Sequence, residues 1–281
     1  MQGQWWRLFL FVLSPCHATV PKGGGYGLGV TVLHPFLDHP RPLAFAHRGG
    51  AGDWPENTMP AFNHAAELGY RYIETDVHVT ADGVVVAFHD DRLDRVTDQQ
   101  GLIADLSWEQ VQTARVDGRE PIVLFSTLLT DFPQMRINID PKDDAVVEPL
   151  AALLGEHDAL DRVCVGAFSD RRINQLRSLL GSDLCTSAGP LGVARFRSAG
   201  FGLPFASPNF QCLQVPVSIR GVRLVDKRLV DSAHQQGLQV HVWTIDEATE
   251  MERLLGLGVD GIMTDRLSVL KQVLVAQGLW P

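Results

Sequence analysis

The stretch "RYIETDVHVTADGVVVAFHD", residues 71–90, decides the fold. "RYIETDVHV" alternates as a strand does. "TADG" at 80–83 is a turn signal, and "VVVAFHD" reads as a second strand running back, so the whole predicts a hairpin. A returning arm cannot belong to a set of parallel strands. With it set aside, strand-like runs begin near residues 43, 71, 135, 162, 183, 211, 238 and 260. Helical patterns alternate with them, among them "NTMPAFNHAAELG" (57–69), "RRINQLRSLLG" (171–181), "RLVDKRLVDSAHQQG" (223–237) and "LSVLKQVLVAQG" (267–278). Eight strand–helix units predict an α/β fold, a (β/α)8 TIM barrel over residues 41–281. An open doubly wound sheet is the alternative. No GxGxxG follows the first strand, which counts against a dinucleotide site. The polar run 91–120, "DRLDRVTDQQGLIADLSWEQVQTARVDGRE", lacks long periodic segments and predicts a small insertion after the hairpin.

The chain has 281 residues, 45% of them hydrophobic, enough for one large core. Its 33 acidic and 24 basic residues leave a net charge of −9. No basic run or basic–aromatic pattern suggests a nucleic-acid partner. An acidic protein that handles an anion needs local cations to offset its own field. The four cysteines, Cys16, Cys164, Cys185 and Cys212, form no CxxC pair, and Cys164 and Cys185 read as buried free thiols. Residues 1–40 read as a tail or a weakly signal-like segment; the apolar run from Leu8 to Leu13 is short for a signal peptide and "KGGGYGLG" has linker composition. No segment reaches the roughly 18 apolar residues of a membrane span. A cytoplasmic location is expected, with export or lipid anchoring left open by the N-terminus.

Barrel enzymes place their chemistry at the C-terminal ends of the strands. Here those ends carry His47 and Arg48, Glu74 and Asp76, Asp140 and Lys142, Phe168, Trp243, and Thr264 with Asp265. The hairpin adds His89; with a turn at 81–83, positions 76 and 88 oppose each other across the ladder. Glu74 and Asp76 lie two apart, on one face of a strand. Converging carboxylates inside a barrel are costly unless neutralised, and a hard divalent cation with oxygen ligands would do so, with Asp140 as third donor. A salt-bridged or wetted carboxylate cluster is the plainer reading of the same residues. Two histidines at neighbouring strand ends can divide proton transfer between them. Arg48 offers a planar fork for phosphate oxygens and Lys142 a point charge. Gly49 and Gly50 are expected to bring the backbone close to a ligand. The set predicts metal-assisted phosphodiester cleavage.

The chain resembles the glycerophosphodiester phosphodiesterase family. The resemblance rests on "AHRGG" (46–50), "PENT" (55–58), "ETDVHVTADGVVVAFHD" (74–90), "LDRVTDQQG" (93–101), "NIDPK" (138–142), "VWTID" (242–246) and "GVDGIMTD" (258–265). It implies hydrolysis of a small-molecule glycerophosphodiester to glycerol 3-phosphate and an alcohol. It implies His47 and His89 as the acid–base pair, Glu74, Asp76 and Asp140 as ligands of Ca2+ or Mg2+, and Arg48 and Lys142 on the phosphate. Trp243 resembles the aromatic wall of the substrate pocket; Phe168, at the fourth strand end, is a further substrate-binding candidate, and a homo-oligomer is possible. Three departures stand out: Asp140 where glutamate is usual, "REPIVLFSTLL" (119–129) in place of "IPTLEEVL", and Asp246 where asparagine is common. Rival readings are a lysophospholipase D- or sphingomyelinase-like enzyme, whose apolar mouth would draw on the insertion or on Phe201 and Phe205, and a phosphodiester-binding barrel without turnover.

Overall fold

The computed structural model describes residues 34–40, 42–199 and 208–280. Cys16, most of the expected tail, and Phe201 and Phe205 lie outside the described residues. Eight parallel strands form the frame: β1 Leu43–Ala46, β2 Tyr72–Val79, β3 Arg136–Pro141, β4 Val163–Val165, β5 Cys185–Thr186, β6 Cys212–Pro216, β7 Gln239–Trp243 and β8 Gly261–Thr264. Their spatial order is β6–β7–β8–β1–β2–β3–β4–β5. A parallel bridge from Ser187 to Cys212 brings the two ends together. Across that seam Gln211 N donates to Thr186 O at 3.0 Å and Ala188 N to Cys212 O at 2.9 Å. The expected barrel is therefore observed, at the expected strand positions.

Period-two alternation in the strands produces two cores. Outward-facing residues such as Ile73, Val77, Ile137, Ile139, Val240 and Ile262 pack against the surrounding helices. Inside, Leu43, Phe45, Tyr72, Met263 and the three free thiols Cys164, Cys185 and Cys212 form a second cluster. Asn138, Gln214, His241 and Gln239 also lie buried or half-buried in the barrel and satisfy one another: Gln214 Nε2 donates to Asn138 Oδ1 at 2.7 Å, and His241 Nε2 lies 3.0 Å from Gln239 Oε1. Polar atoms in an interior need such partners.

Two boundaries move. Residues 34–40 belong to the barrel: Phe36 and Leu37 are fully buried against the inner cluster, and Tyr72 Oη donates to Phe36 O at 2.6 Å. The packed domain thus begins before residue 41. The helix expected over 223–237 starts only at Lys227, because Asp226 caps it, accepting from Leu229 N at 2.8 Å. Just before it, Ser218–Ile219 and Val222–Arg223 pair as a two-residue ribbon.

The hairpin has the expected register. Val77 opposes Ala87, and Phe88 N donates to Asp76 O at 2.9 Å. The returning arm is short, Val85–Ala87. Its outer face meets the insertion, where Val86 and Phe88 pack with Leu93, Ile103 and Val111 in a satellite core. The insertion is a run of tight turns, with a short helix at Trp108–Val111 and a small ribbon, Arg115–Val116 with Glu120–Pro121. Among the described residues no helix is long and apolar enough to cross a membrane.

Candidate active site

β1 ends at Ala46, and the chain leaves the barrel through one 3-10 turn, His47–Gly49. Arg48, Gly49 and Gly50 adopt positive φ values of 50°, 82° and 102°. A left-handed non-glycine residue persists only when its surroundings determine it. Arg48 is determined by its backbone: its N donates to Glu74 Oε2 at 3.1 Å and its O accepts from Asn57 N at 2.9 Å. The two glycines have a packing role. A Cβ on Gly49 would stand 2.8 Å from Ala61 Cβ, and one on Gly50 2.7 Å from Leu267 Cδ1. They permit the turn and its packing on two helices.

The turn points His47 at two carboxylates. Its Nδ1–H donates to Asp265 Oδ1 at 2.7 Å, and Nε2 stands 3.9 Å from Glu74 Oε2. Burial opposes charging this ring, but Glu74 and Asp265 outweigh it, and its pKa rises above the ordinary value. Asp265 is itself held by Asp246, whose Oδ1 accepts from Asp265 N at 2.8 Å and from Thr264 Oγ1 at 2.9 Å. Asp246 only accepts there, so an asparagine oxygen could serve equally, which accounts for that departure from the family pattern.

His89 lies just past the returning arm. Its Nδ1–H donates to Asp90 Oδ1 at 2.6 Å, leaving Nε2 to accept a proton. Burial, followed by Lys142 and Arg48, outweighs the pull of Asp76 and lowers its pKa. Its carbonyl is 3.2 Å from His78 Nε2, and His78 Nδ1 is 2.9 Å from Asp143 Oδ2. The two candidate acid–base rings are thus biased in opposite directions.

Glu74 and Asp76 are buried, and Asp140 stands beside Asp76 in the β2–β3 register. Burial and the neighbouring Asp76 push the Glu74 carboxyl up to about 7. Burial also opposes the Asp76 carboxylate, but Lys142 and Arg48 hold it down at about 2. Lys142 Nζ lies 2.7 Å from both Asp76 Oδ1 and Asp140 Oδ2. Among the described residues no three histidine, cysteine or carboxylate side chains gather closely enough to ligate one ion. Asp76 and Asp140 converge on the ammonium, while Glu74 turns to Arg48 N and His47. The donor set nevertheless fits a hard divalent cation: it is all oxygen, and a cation already stands between two of its members.

Arg48 Nη1 donates to Glu56 Oε1 at 3.2 Å, and Nε is 3.2 Å from Asp76 Oδ2. That Nε contact is an ion pair without hydrogen-bond alignment, and the buried Nε–H has no acceptor. An unpaired buried donor is suited to a ligand oxygen. Asn57 supports the same carboxylate: its Nδ2 donates to Asp76 Oδ2 at 3.2 Å, while its Oδ1 accepts from Thr75 Oγ1 at 2.8 Å. Phe168 and Trp243 meet edge to face, centroids 5.5 Å apart, and Phe168 is 42% exposed.

Sequence reasoning therefore named the residues that gather here, but not their keepers. Asp265 was visible as a strand end without a role. Asn57 sat inside "PENT" and His78 inside "ETDVHV", with no local spacing to mark either.

A barrel with two oppositely biased imidazoles, clustered carboxylates and two cations at its C-terminal mouth defines a hydrolase suited to anionic diesters. The profile of the glycerophosphoryl diester phosphodiesterase family matches residues 47–181 and 197–269. A Mycobacterium tuberculosis protein named "Probable glycerophosphodiester phosphodiesterase 2" is 39% identical over 254 residues, covering 87% of this chain and 95% of that protein. A solved structure from Silicibacter pomeroyi superposes with TM-score 0.72 at 24% identity, over 86% of this chain and 97% of that one. An Oleispira antarctica phosphodiesterase, solved with the product sn-glycerol-3-phosphate, gives 0.71 at 22%, over 84% and 97%. The chain belongs to the glycerophosphoryl diester phosphodiesterase family, and it is a phosphodiesterase.

Proposed function

We propose that the chain hydrolyses glycerophosphodiesters to sn-glycerol 3-phosphate and an alcohol, with His89 as general base and His47 as general acid. The observation that carries this is the opposite bias of the two rings. His89, held by Asp90, presents a free Nε2 that can take the proton of the attacking water. His47, held by Asp265 beside Glu74, favours the imidazolium that can protonate the leaving oxygen. The orphaned Nε–H of Arg48 is suited to a phosphoryl oxygen, and Lys142 adds positive charge beside it. The Phe168–Trp243 pair is suited to the alcohol side of the substrate.

Glu74, Asp76 and Asp140 would hold a divalent ion, Ca2+ or Mg2+. When bound, the ion supplies Lewis acidity to the phosphoryl group. The substrate is a small molecule. The free thiols Cys164, Cys185 and Cys212 suit a reducing, cytoplasmic setting.

The test is release of glycerol 3-phosphate from glycerophosphocholine, with and without EDTA, beside a lysophosphatidylcholine assay. Chelator-sensitive release from glycerophosphocholine supports the proposal. Turnover of the lysolipid alone would shift the substrate to lipid-sized diesters, and no turnover of either would sink it.

A further inference from the structure

The insertion carries one side chain that reaches the catalytic face with a full set of partners. Arg95, in the turn Leu93–Arg95, sends its guanidinium between two carboxylates. Its Nη1 donates to Glu56 Oε2 at 3.1 Å and its Nη2 to Glu56 Oε1 at 2.6 Å. Its Nε donates to Asp90 Oδ2 at 2.5 Å and its Nη2 also to Asp90 Oδ1 at 3.1 Å. Asp90 Oδ1 is the acceptor that orients His89, and Glu56 Oε1 is the acceptor that holds Arg48. The sequence Arg48–Glu56–Arg95–Asp90–His89 is therefore one continuous ladder of charged hydrogen bonds. Its two ends are the groups assigned to the phosphoryl oxygen and to the attacking proton.

We infer that Arg95 is a positioning residue for the phosphodiester reaction, fixing Asp90 and hence the His89 ring relative to Arg48. The inference rests on the phosphodiesterase reading above. An isolated ion pair on a side chain as exposed as Arg95, at 47%, would contribute little. Two forked contacts differ, because a planar guanidinium sets direction as well as charge. Direction is what His89 needs, since a free Asp90 carboxylate could rotate and take the ring with it. The insertion supplies this fork, which gives the excursion at 91–120 a part in the chemistry and "LDRVT" its reason for carrying an arginine.

The experiment measures kcat and KM for glycerophosphocholine hydrolysis in the wild type, Arg95→Gln, Arg95→Lys, His89→Ala and the double variant His89→Ala/Arg95→Gln. Circular dichroism accompanies each variant. Arg95→Gln is expected to lower kcat by about 10- to 100-fold, as for misplacement of a reacting group by about 1 Å, with KM held within about 2-fold. Arg95→Lys is expected to recover part of the loss, since it keeps the charge but not the fork. In the His89→Ala background, Arg95→Gln should cause no further fall, because the ring it serves is gone. Multiplication of the two losses would overturn the inference, as would an Arg95→Gln kcat within about 2-fold of wild type. Should Arg95→Gln lose its fold, the same two comparisons are made with Arg95→Lys. A wild type that hydrolyses no glycerophosphodiester would instead refute the parent reading, and that arm is scored separately.

Discussion

His47 and Asp265 meet at 2.7 Å although 218 residues separate them in sequence. β1 and β8 are neighbours in the barrel, with Ala46 opposite Thr264, so the next residue of each strand arrives at the same corner. The proposed proton donor, His47, is thus held across the junction of the first and last strands. Removing the carboxylate tests that junction. On the proposed roles turnover needs His89 neutral and His47 protonated, so activity should peak between a pKa below the ordinary 6.5 and one above it. Asp265→Asn removes a group that raises the His47 pKa. The alkaline limb of the kcat profile should therefore move down in pH, with the acid limb in place. A profile whose acid limb moves instead would reverse the roles of the two rings.

Each imidazole can be deleted outright. His47→Ala and His89→Ala should each lower kcat by about 10²-fold or more at the pH optimum. If the roles are as assigned, a substrate with a more acidic leaving alcohol should rescue His47→Ala more than His89→Ala. Equal rescue of both would count against His47 as the proton donor.

The carboxylates predict dependence on an ion. EDTA should abolish most turnover, and Ca2+ or Mg2+ should restore it. Asp140→Asn should raise the ion concentration needed for half-maximal rate by about tenfold or more, since it removes one charged oxygen donor from the set. Titration of ion binding by calorimetry gives the same comparison without an activity readout. Unchanged ion affinity in Asp140→Asn would remove this residue from the ligand set.

Trp243 and Phe168 pack edge to face at the end of β7 and beyond β4. Trp243→Ala should raise KM for glycerophosphocholine by about 5- to 10-fold through lost cation–π contact, with kcat nearly kept. Glycerophosphoglycerol, which has no cationic head group, should show a smaller change. Equal effects on both would assign the ring to shape alone.

Phe36 tests where the domain begins. It is fully buried and packs edge to face on Tyr72, centroids 5.2 Å apart. Phe36→Ala should destabilise the barrel by about 3 kcal/mol in urea unfolding. A loss below about 0.5 kcal/mol would return this segment to the tail.

Local spacing was enough for much of this protein. Period-two runs and their intervening helices are properties of consecutive residues, so the eight strands, the hairpin register at Asp76 and Phe88, and the strand ends bearing His47, Glu74, Asp76, Asp140 and Lys142 were all legible in the chain. Which partner each side chain takes was not. Lys142 stands between Asp76 and Asp140, His47 leans on Asp265, and Arg95 reaches back to Glu56, because barrel closure and the folding of the insertion bring distant segments within 3 Å. Burial and those neighbours, not residue type, then move one histidine up and the other down. A sequence records the identity of each titratable group, whereas its proton affinity depends on charges and desolvation that exist only once the chain has folded.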